Sequence, residues 1–296
     1  MQIKIIPSIL MSLCCAFMAA QEATEIYLFD LSEQDSQITI SNPVNISKNE
    51  GYDNQPSFTE DGTGILFSSF REGQADISKY FIAENYRVWI TDTKESEFSP
   101  IQVPGKKKYF TCVRLNEDDT QYIYKYAFKK KLPELFIPDL KVGYYIWFDP
   151  KTLISFVIGD TETLQVSSFK HKIRYPIRSN IGRSMHKIPE SAGLGSNLMS
   201  FISLSHESPE IYSIDPFKST SVYIADALAG SRDLTWTARG TMLMGKNNMI
   251  YKYHPSKDKE WIPINIEAEF DIQGISRIII SPDGSKLVLV ANEPAL

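Results

Sequence analysis

Apolar residues in this chain come in short runs, each cut off by a tight polar turn, and the whole pattern returns about every 44 residues. The clearest copies are QPSFTEDGTGILFSS at 55–69 and RIIISPDGSKLVLVA at 277–291. Runs of four to seven residues rich in Ile, Val, Phe and Tyr, bounded by Gly, Asp and Pro, predict β-strands joined by hairpins. No stretch of useful length shows helical periodicity. The turn markers Gly62, Gly105, Asp149, Gly195, Gly240 and Gly284 lie 43, 44, 46, 45 and 44 residues apart.

A fixed period of this length, filled by strands, predicts an all-β, six-bladed propeller. In register, each repeat supplies four strands, A to D from the axis outward. Blade one reads PSFT, ILFSS, DISKYFI and RVWIT; blades two to five follow from Ser99, Tyr144, Ser184 and Asp233. Blade six begins with RIIIS and KLVLVA, and then the sequence ends at Leu296. Two spare strands stand at the other end, EIYLFDL at 25–31 and a run within 37–47. The expectation is that these N-terminal strands complete the last blade, closing the ring and removing open sheet edges. Residues 21–296 then form one domain.

The first 20 residues carry Lys4, an uncharged apolar run from Ile5 and the pair Ala19-Ala20 before Gln21. This pattern predicts a signal peptide over 1–20, and hence a periplasmic or secreted protein with no stable membrane insertion after cleavage. Cleavage leaves a single cysteine, Cys112, so no intramolecular disulfide is expected. A formal charge of −5 gives no overall attraction to nucleic acid.

The PSFTEDGTGILFSS and IIISPDGSKLVLVA segments resemble the Pro-Asp-Gly repeat of TolB-like propellers, and the resemblance runs along essentially the whole chain after residue 20. It implies a propeller of the Gram-negative periplasm. TolB itself has a separate α/β domain before its propeller, and the segment between Gln21 and the first repeat is too short for one.

Catalytic motifs are scarce. Gly182-Arg183-Ser184-Met185-His186 lacks the second glycine of a nucleophile elbow, and His206-Glu207 has no second histidine at metal-binding spacing. His171 and His254 fall in C–D turns, His206 in a B–C turn and His186 on the inner strand of blade four, so no histidine cluster is expected. Metal and cofactor are expected to be none, with a carboxylate-bound Ca²⁺ in the channel as the alternative. The candidate site is the channel mouth where D–A connections enter the inner strands. Counting eight positions back from the turn markers, with Ser191 as the marker in blade four, places Asn54, Glu97, Arg183, Arg232 and Ser276 there. Asp53, Tyr144, Tyr145, Asp233 and Arg277 flank them, and His186 lies further along its strand. The binding set is therefore Asn54, Glu97, Tyr144, Arg183, His186, Arg232, Asp233 and Arg277. Such a ring suits either a polar ligand or braces between blades. Lys106–Lys108 and Lys129–Lys131 fall in turns on the opposite face of blade two. The reading is a monomeric, non-catalytic module that binds an envelope protein or a polar small ligand. The rival is a lactonase, lyase or hydrolase acting at the same mouth.

Overall fold

The computed structural model describes residues 23–218, 220–267 and 272–292; residues 1–22, where the signal peptide is expected, lie outside them. Among the described residues the chain forms six sheets, one per predicted repeat, antiparallel except for one outer pair. The innermost strands are Asp53–Phe58, Ser96–Gln102, Val142–Asp149, Ile181–Lys187, Leu234–Trp236 and Arg277–Ile280. Each touches the next in cyclic order, and the sixth touches the first, so the sheets form a closed six-bladed propeller. Among the described residues no helix is long and apolar enough to cross a membrane.

The hairpin joining the first two strands of each blade explains the motif in the sequence. In blade one, Asp61 Oδ1 accepts hydrogen bonds from the hydroxyls of Thr59 and Thr63, both at 2.8 Å. Gly62 follows at φ 70°, a conformation glycine adopts without steric cost. Blade six repeats the arrangement with Ser281, Asp283, Gly284 at φ 74° and Ser285. Hydroxyl donors stabilise the charged carboxylates, so Asp61 and Asp283 are both lowered to about 2. A threonine or serine two residues to either side of the aspartate is thus part of the turn's chemistry.

The core is divided among the interfaces between blades. Leu66 and Ile77 of blade one meet Phe110, Cys112 and Tyr126 of blade two, and a comparable cluster fills each further junction around the ring. Cys112 is a free thiol, fully buried in this layer, and burial pushes its pKa up, so it behaves as a small hydrophobe.

Blade six is assembled from both ends of the chain, as expected. Thr24–Gln34 pairs antiparallel with Lys286–Asn292, with Glu25 opposite Ala291, Phe29 opposite Leu287 and Asp30 opposite Lys286. Gln37–Asn45 lies outside it, and the short strand Ile266–Glu267 adds in parallel at the outer edge. Ile26 and Leu28 face blade one, whereas Tyr27, Phe29 and Leu31 face blade five. One strand thereby seals both interfaces of the closing blade, using the two-residue alternation of side chains.

Next to this seam lies a buried acid. Asp53 is 0% exposed and neither of its carboxylate oxygens has a hydrogen-bond partner. Burial, reinforced by the nearby Glu25 carboxylate, raises its pKa to about 7, and Ser69, Arg87 and Asn49 offset only part of that cost. The N-terminal strand reaches the same place, since Thr24 Oγ1 donates to the Asp53 carbonyl at 2.8 Å.

Two outcomes are expected. Phe29→Ala should cost about 3–5 kcal/mol of unfolding free energy, because it opens a cavity in a fully buried layer. Deleting residues 25–31 should abolish cooperative unfolding; a deletion variant that melts like the parent would show that ring closure does not depend on this strand. Asp53 should also make stability pH-dependent. Its folded pKa is raised, so its contribution is fully favourable below about 4 and is lost as pH rises towards 7. Between pH 4 and pH 8 the parent should therefore lose on the order of 3–4 kcal/mol relative to Asp53→Asn. Parallel denaturation curves at the two pH values measure the difference, and an unchanged gap would mean that Asp53 is ionised in the fold.

Candidate ligand site in the channel mouth

The six innermost strands enclose a cavity of about 510 Å³ on the propeller axis. Several of these strands are bulged. The pairing of Asp53–Phe58 slips between Asn54 and Ser57, and that of Ser96–Gln102 slips between Phe98 and Ile101. Each slip contains a proline, Pro56 or Pro100, whose missing N–H cannot serve the ladder. The residues before them, Gln55 and Ser99, take left-handed φ of 55° and 51° and line the cavity. Gln55 Oε1 accepts the Ser99 backbone N–H at 2.7 Å, tying blade one to blade two at the wall. A third slip, between Ile181 and Met185, carries Arg183.

One end of the cavity is charged. Arg277 of blade six lies over the ring of Tyr144 in blade three, its guanidinium carbon 5.1 Å from the ring centroid. Blades three and six face each other across the axis, so this contact straddles the mouth. Arg277 Nε donates to Asn54 Oδ1 at 2.6 Å, which fixes the guanidinium from the side of blade one. Arg183 reaches past blade five and donates from Nη2 to the Ser276 carbonyl at 2.7 Å. Its Nε–H is buried and has no partner. Burial and the neighbouring Arg277 cation both lower the Arg183 pKa, with Asp233 and Tyr144 opposing them. Asp233 is pulled both ways: burial raises its pKa, but His186, Arg277 and Arg183 outweigh it and hold the carboxyl below its usual range. His186 Nε2 stands 3.9 Å from Asp233 Oδ1. The opposite end of the cavity is largely apolar, with Phe58, Trp147, Ile280 and Pro282, and with Lys187 at the rim.

The structure thus brings together Tyr144, Arg183, His186, Asp233 and Arg277 of the expected set in one cavity, with Asn54 behind them as the holder of Arg277. Like Asn54, two further expected residues, Glu97 and Arg232, do not line it. Glu97 is 0% exposed and is held within blade two and its approach by Tyr126 OH at 2.9 Å, Thr91 Oγ1 at 3.1 Å and the Thr93 hydroxyl. Burial raises its pKa to about 7 against those hydrogen bonds. It acts as a brace. Arg232 precedes its inner strand and points to solvent. Gln55 and Ser57 are wall residues that the eight-residue count passes over; the recurrence of Gln55-Pro56 as Ser99-Pro100, 44 residues on, is the signal that marks them.

The remaining histidines lie apart, as their register implies. His206 pairs with Glu210 at 2.9 Å, and His254 is buried in its own turn. Among the described residues no group of three or more His, Cys, Asp or Glu side chains is gathered as metal ligands. The cavity's lining supplies one carboxylate, Asp233, beside two guanidiniums, a donor set that does not suit the several oxygen ligands of Ca²⁺. Chemically the mouth is a partly desolvated, cation-rich recess: Arg183 and Arg277 against Asp233.

No protein-family model and no curated protein sequence matches the chain. Solved structures match its fold. A putative TolB from Agrobacterium tumefaciens superposes with a TM-score of 0.66 at 14% identity, covering 93% of this chain and 100% of that one. TolB from Acinetobacter baumannii gives 0.56 at 12% identity over 92% of this chain and 64% of its own. An oligogalacturonate lyase from Vibrio parahaemolyticus gives 0.50 at 11% identity, with 93% and 99% covered. At such identities the likeness is one of fold. That fold serves TolB proteins and a lyase alike, so it leaves binding and catalysis to be argued from the channel itself.

Proposed function

We propose that this protein is an exported, monomeric binding module that receives an anionic group of a small ligand or envelope protein in the mouth of its channel, without transforming it. The observation that carries the reading is the pair of guanidiniums, Arg183 and Arg277, on converging walls of one cavity with a single carboxylate between them. Bringing two cations into a partly buried mouth is costly, as the lowered pKa of Arg183 records. An oxyanion between them would offset that repulsion. Charge-assisted bonds in such a place are stronger than on the open rim. Tyr144 and Asn54 hold Arg277 in position before any ligand arrives, which lowers the ordering cost of binding. Export rests on the N-terminal pattern, and intact mass of protein from the native host reads it: a mass retaining residues 1–20 would overturn it.

The rival reading is a lyase-like enzyme. Its support is the His186–Asp233 pair, 3.9 Å apart in the same cavity as Tyr144, together with the fold likeness to an oligogalacturonate lyase. A carboxylated sugar would satisfy both readings, and turnover separates them.

Binding of galacturonate oligomers, of a carboxylate-terminated peptide and of sulfate should be measured by titration calorimetry, with product formation followed in parallel. Any anion that binds should lose about tenfold or more in affinity with Arg277→Met or Arg183→Met, the order expected for a hydrogen bond to a charged group, and should bind more weakly as salt rises. Arg183→Met should leave the melting temperature within a few degrees of the parent, since it removes a like-charge contact along with one hydrogen bond. A large fall in melting temperature with unchanged binding would make the two arginines braces. Turnover lost in His186→Ala would establish the enzyme instead.

A further inference from the structure

The face of the ring opposite the mouth has its own unusual feature, in blade two. The outermost strand there, Lys130–Ile137, departs from its partner Gln121–Ala127 immediately after the hairpin. Lys130 pairs with Ala127, but the next pair is Glu134 with Lys125. Three residues, 131–133, therefore stand opposite one, and the strand bows outward. Leu132 sits at the crest of this bulge and is 87% exposed, more than any other large hydrophobic residue described. Pro133 beside it contributes no N–H to the ladder.

Cations surround the crest. Lys107 and Lys108 of the neighbouring A–B turn, with Lys125 and Lys129, line a recess of about 510 Å³ that Leu132 and Phe128 also border. Lys106, Lys107, Lys108 and Lys129 are exposed. Lys125 is paired with Glu134 at 2.7 Å, and Lys107 has only a distant contact with Asp61, at 4.0 Å between exposed groups. This concentration of lysine belongs to a chain whose formal charge is −5, so the molecule is electrically polarised. Lone surface lysines are ordinary, and so is a lone exposed leucine. An apolar residue pushed out on a bulge at the centre of a lysine cluster is the pattern of a surface that meets an interface with anions at its boundary and hydrocarbon behind it.

We propose that this face of blade two docks reversibly on a bilayer surface rich in anionic lipid. Leu132 enters the boundary between headgroups and acyl chains, while Lys107, Lys108 and Lys129 lie among the headgroups. The lysines are drawn to the anionic surface and the inserted leucine adds buried apolar area, which gives peripheral, salt-sensitive attachment. The acidic remainder of the protein is repelled by the same surface, which orients the molecule. A–B and C–D turns share one face of the ring and D–A connections the other, so docking leaves the channel mouth open to solvent. The proposal stands independently of what the channel binds.

Co-sedimentation of the purified protein with vesicles tests it. Binding is expected to vesicles of mixed phosphatidylglycerol and phosphatidylcholine, not to phosphatidylcholine alone, and to weaken with added salt. Leu132→Ser, which changes no charge at an exposed position, should weaken binding about fivefold to tenfold. The double variant Lys107→Glu, Lys129→Glu should abolish it, with circular dichroism confirming that both variants are folded. Absence of binding to anionic vesicles would overturn the proposal. So would binding that Leu132→Ser leaves unchanged and that dextran sulfate or inorganic phosphate competes away, since that result assigns the lysines to a soluble polyanion.

Discussion

Everything in this molecule hangs on one antiparallel pairing, that of Thr24–Gln34 with Lys286–Asn292. Five blades are continuous in sequence and need only local hairpins. The sixth must recruit a strand from the far end of the chain, across a loop-closure distance of more than 250 residues. The alternation of that strand makes the recruitment worthwhile, since its even and odd residues fill different interfaces, with blade one and with blade five. The functional geometry depends on the same seam. Arg277 belongs to blade six and Tyr144 to blade three, and their 5.1 Å contact across the axis exists only when the ring is shut. Asn54, which holds Arg277, follows directly on Asp53, the buried acid at the seam. Ring closure and positioning of the mouth are therefore one event.

The architecture was legible because its signals are local. A Thr or Ser two residues to either side of the aspartate of an Asp-Gly pair produces a particular turn, and the structure shows the hydroxyls bonded to the aspartate in both complete copies. Equal spacing of such turns then implies equal blades. The site was legible only in part, for a reason that lies in the pleat. Counting back from a turn fixes how deep a residue sits along its strand; it does not fix which way the side chain points. Asn54 and Glu97 are equivalent by count, but the bulges at Pro56 and Pro100 lie 44 residues apart and match Glu97 with Asp53, so Asn54 supports the mouth whereas Glu97 is held between strands by Thr91, Thr93 and Tyr126. Bulges at Pro56 and Pro100 alter the alternation again, and bring Gln55 and Ser99 to the cavity wall. Arg232 lies before its strand begins, where no pleat constrains it.

Buried polarity is distributed unevenly between the blades and the mouth. Glu97 keeps three hydroxyl donors, and its raised pKa reflects burial that those donors only partly offset. It is a satisfied group with a cost already met inside the fold. Arg183 is different. Its one carbonyl acceptor leaves a buried N–H idle, and its nearest charged neighbour includes another guanidinium. A group whose role were bracing alone would gain from a carboxylate placed within reach of that N–H, and the ring offers many positions from which to supply one. The mouth instead keeps its positive excess.

The two cationic regions also differ in physical kind, and the difference sets what each can select. The channel guanidiniums are few, fixed by Asn54, Tyr144 and Ser276, and partly withdrawn from water. Such groups discriminate by geometry, because a rigid, planar donor rewards an acceptor only at the right distance and angle. The lysines of blade two are exposed and on flexible stems, and they answer to charge density with little regard for shape. The two regions lie on opposite faces of the ring. The closed ring that fixes the guanidiniums is the same body that displays the lysines.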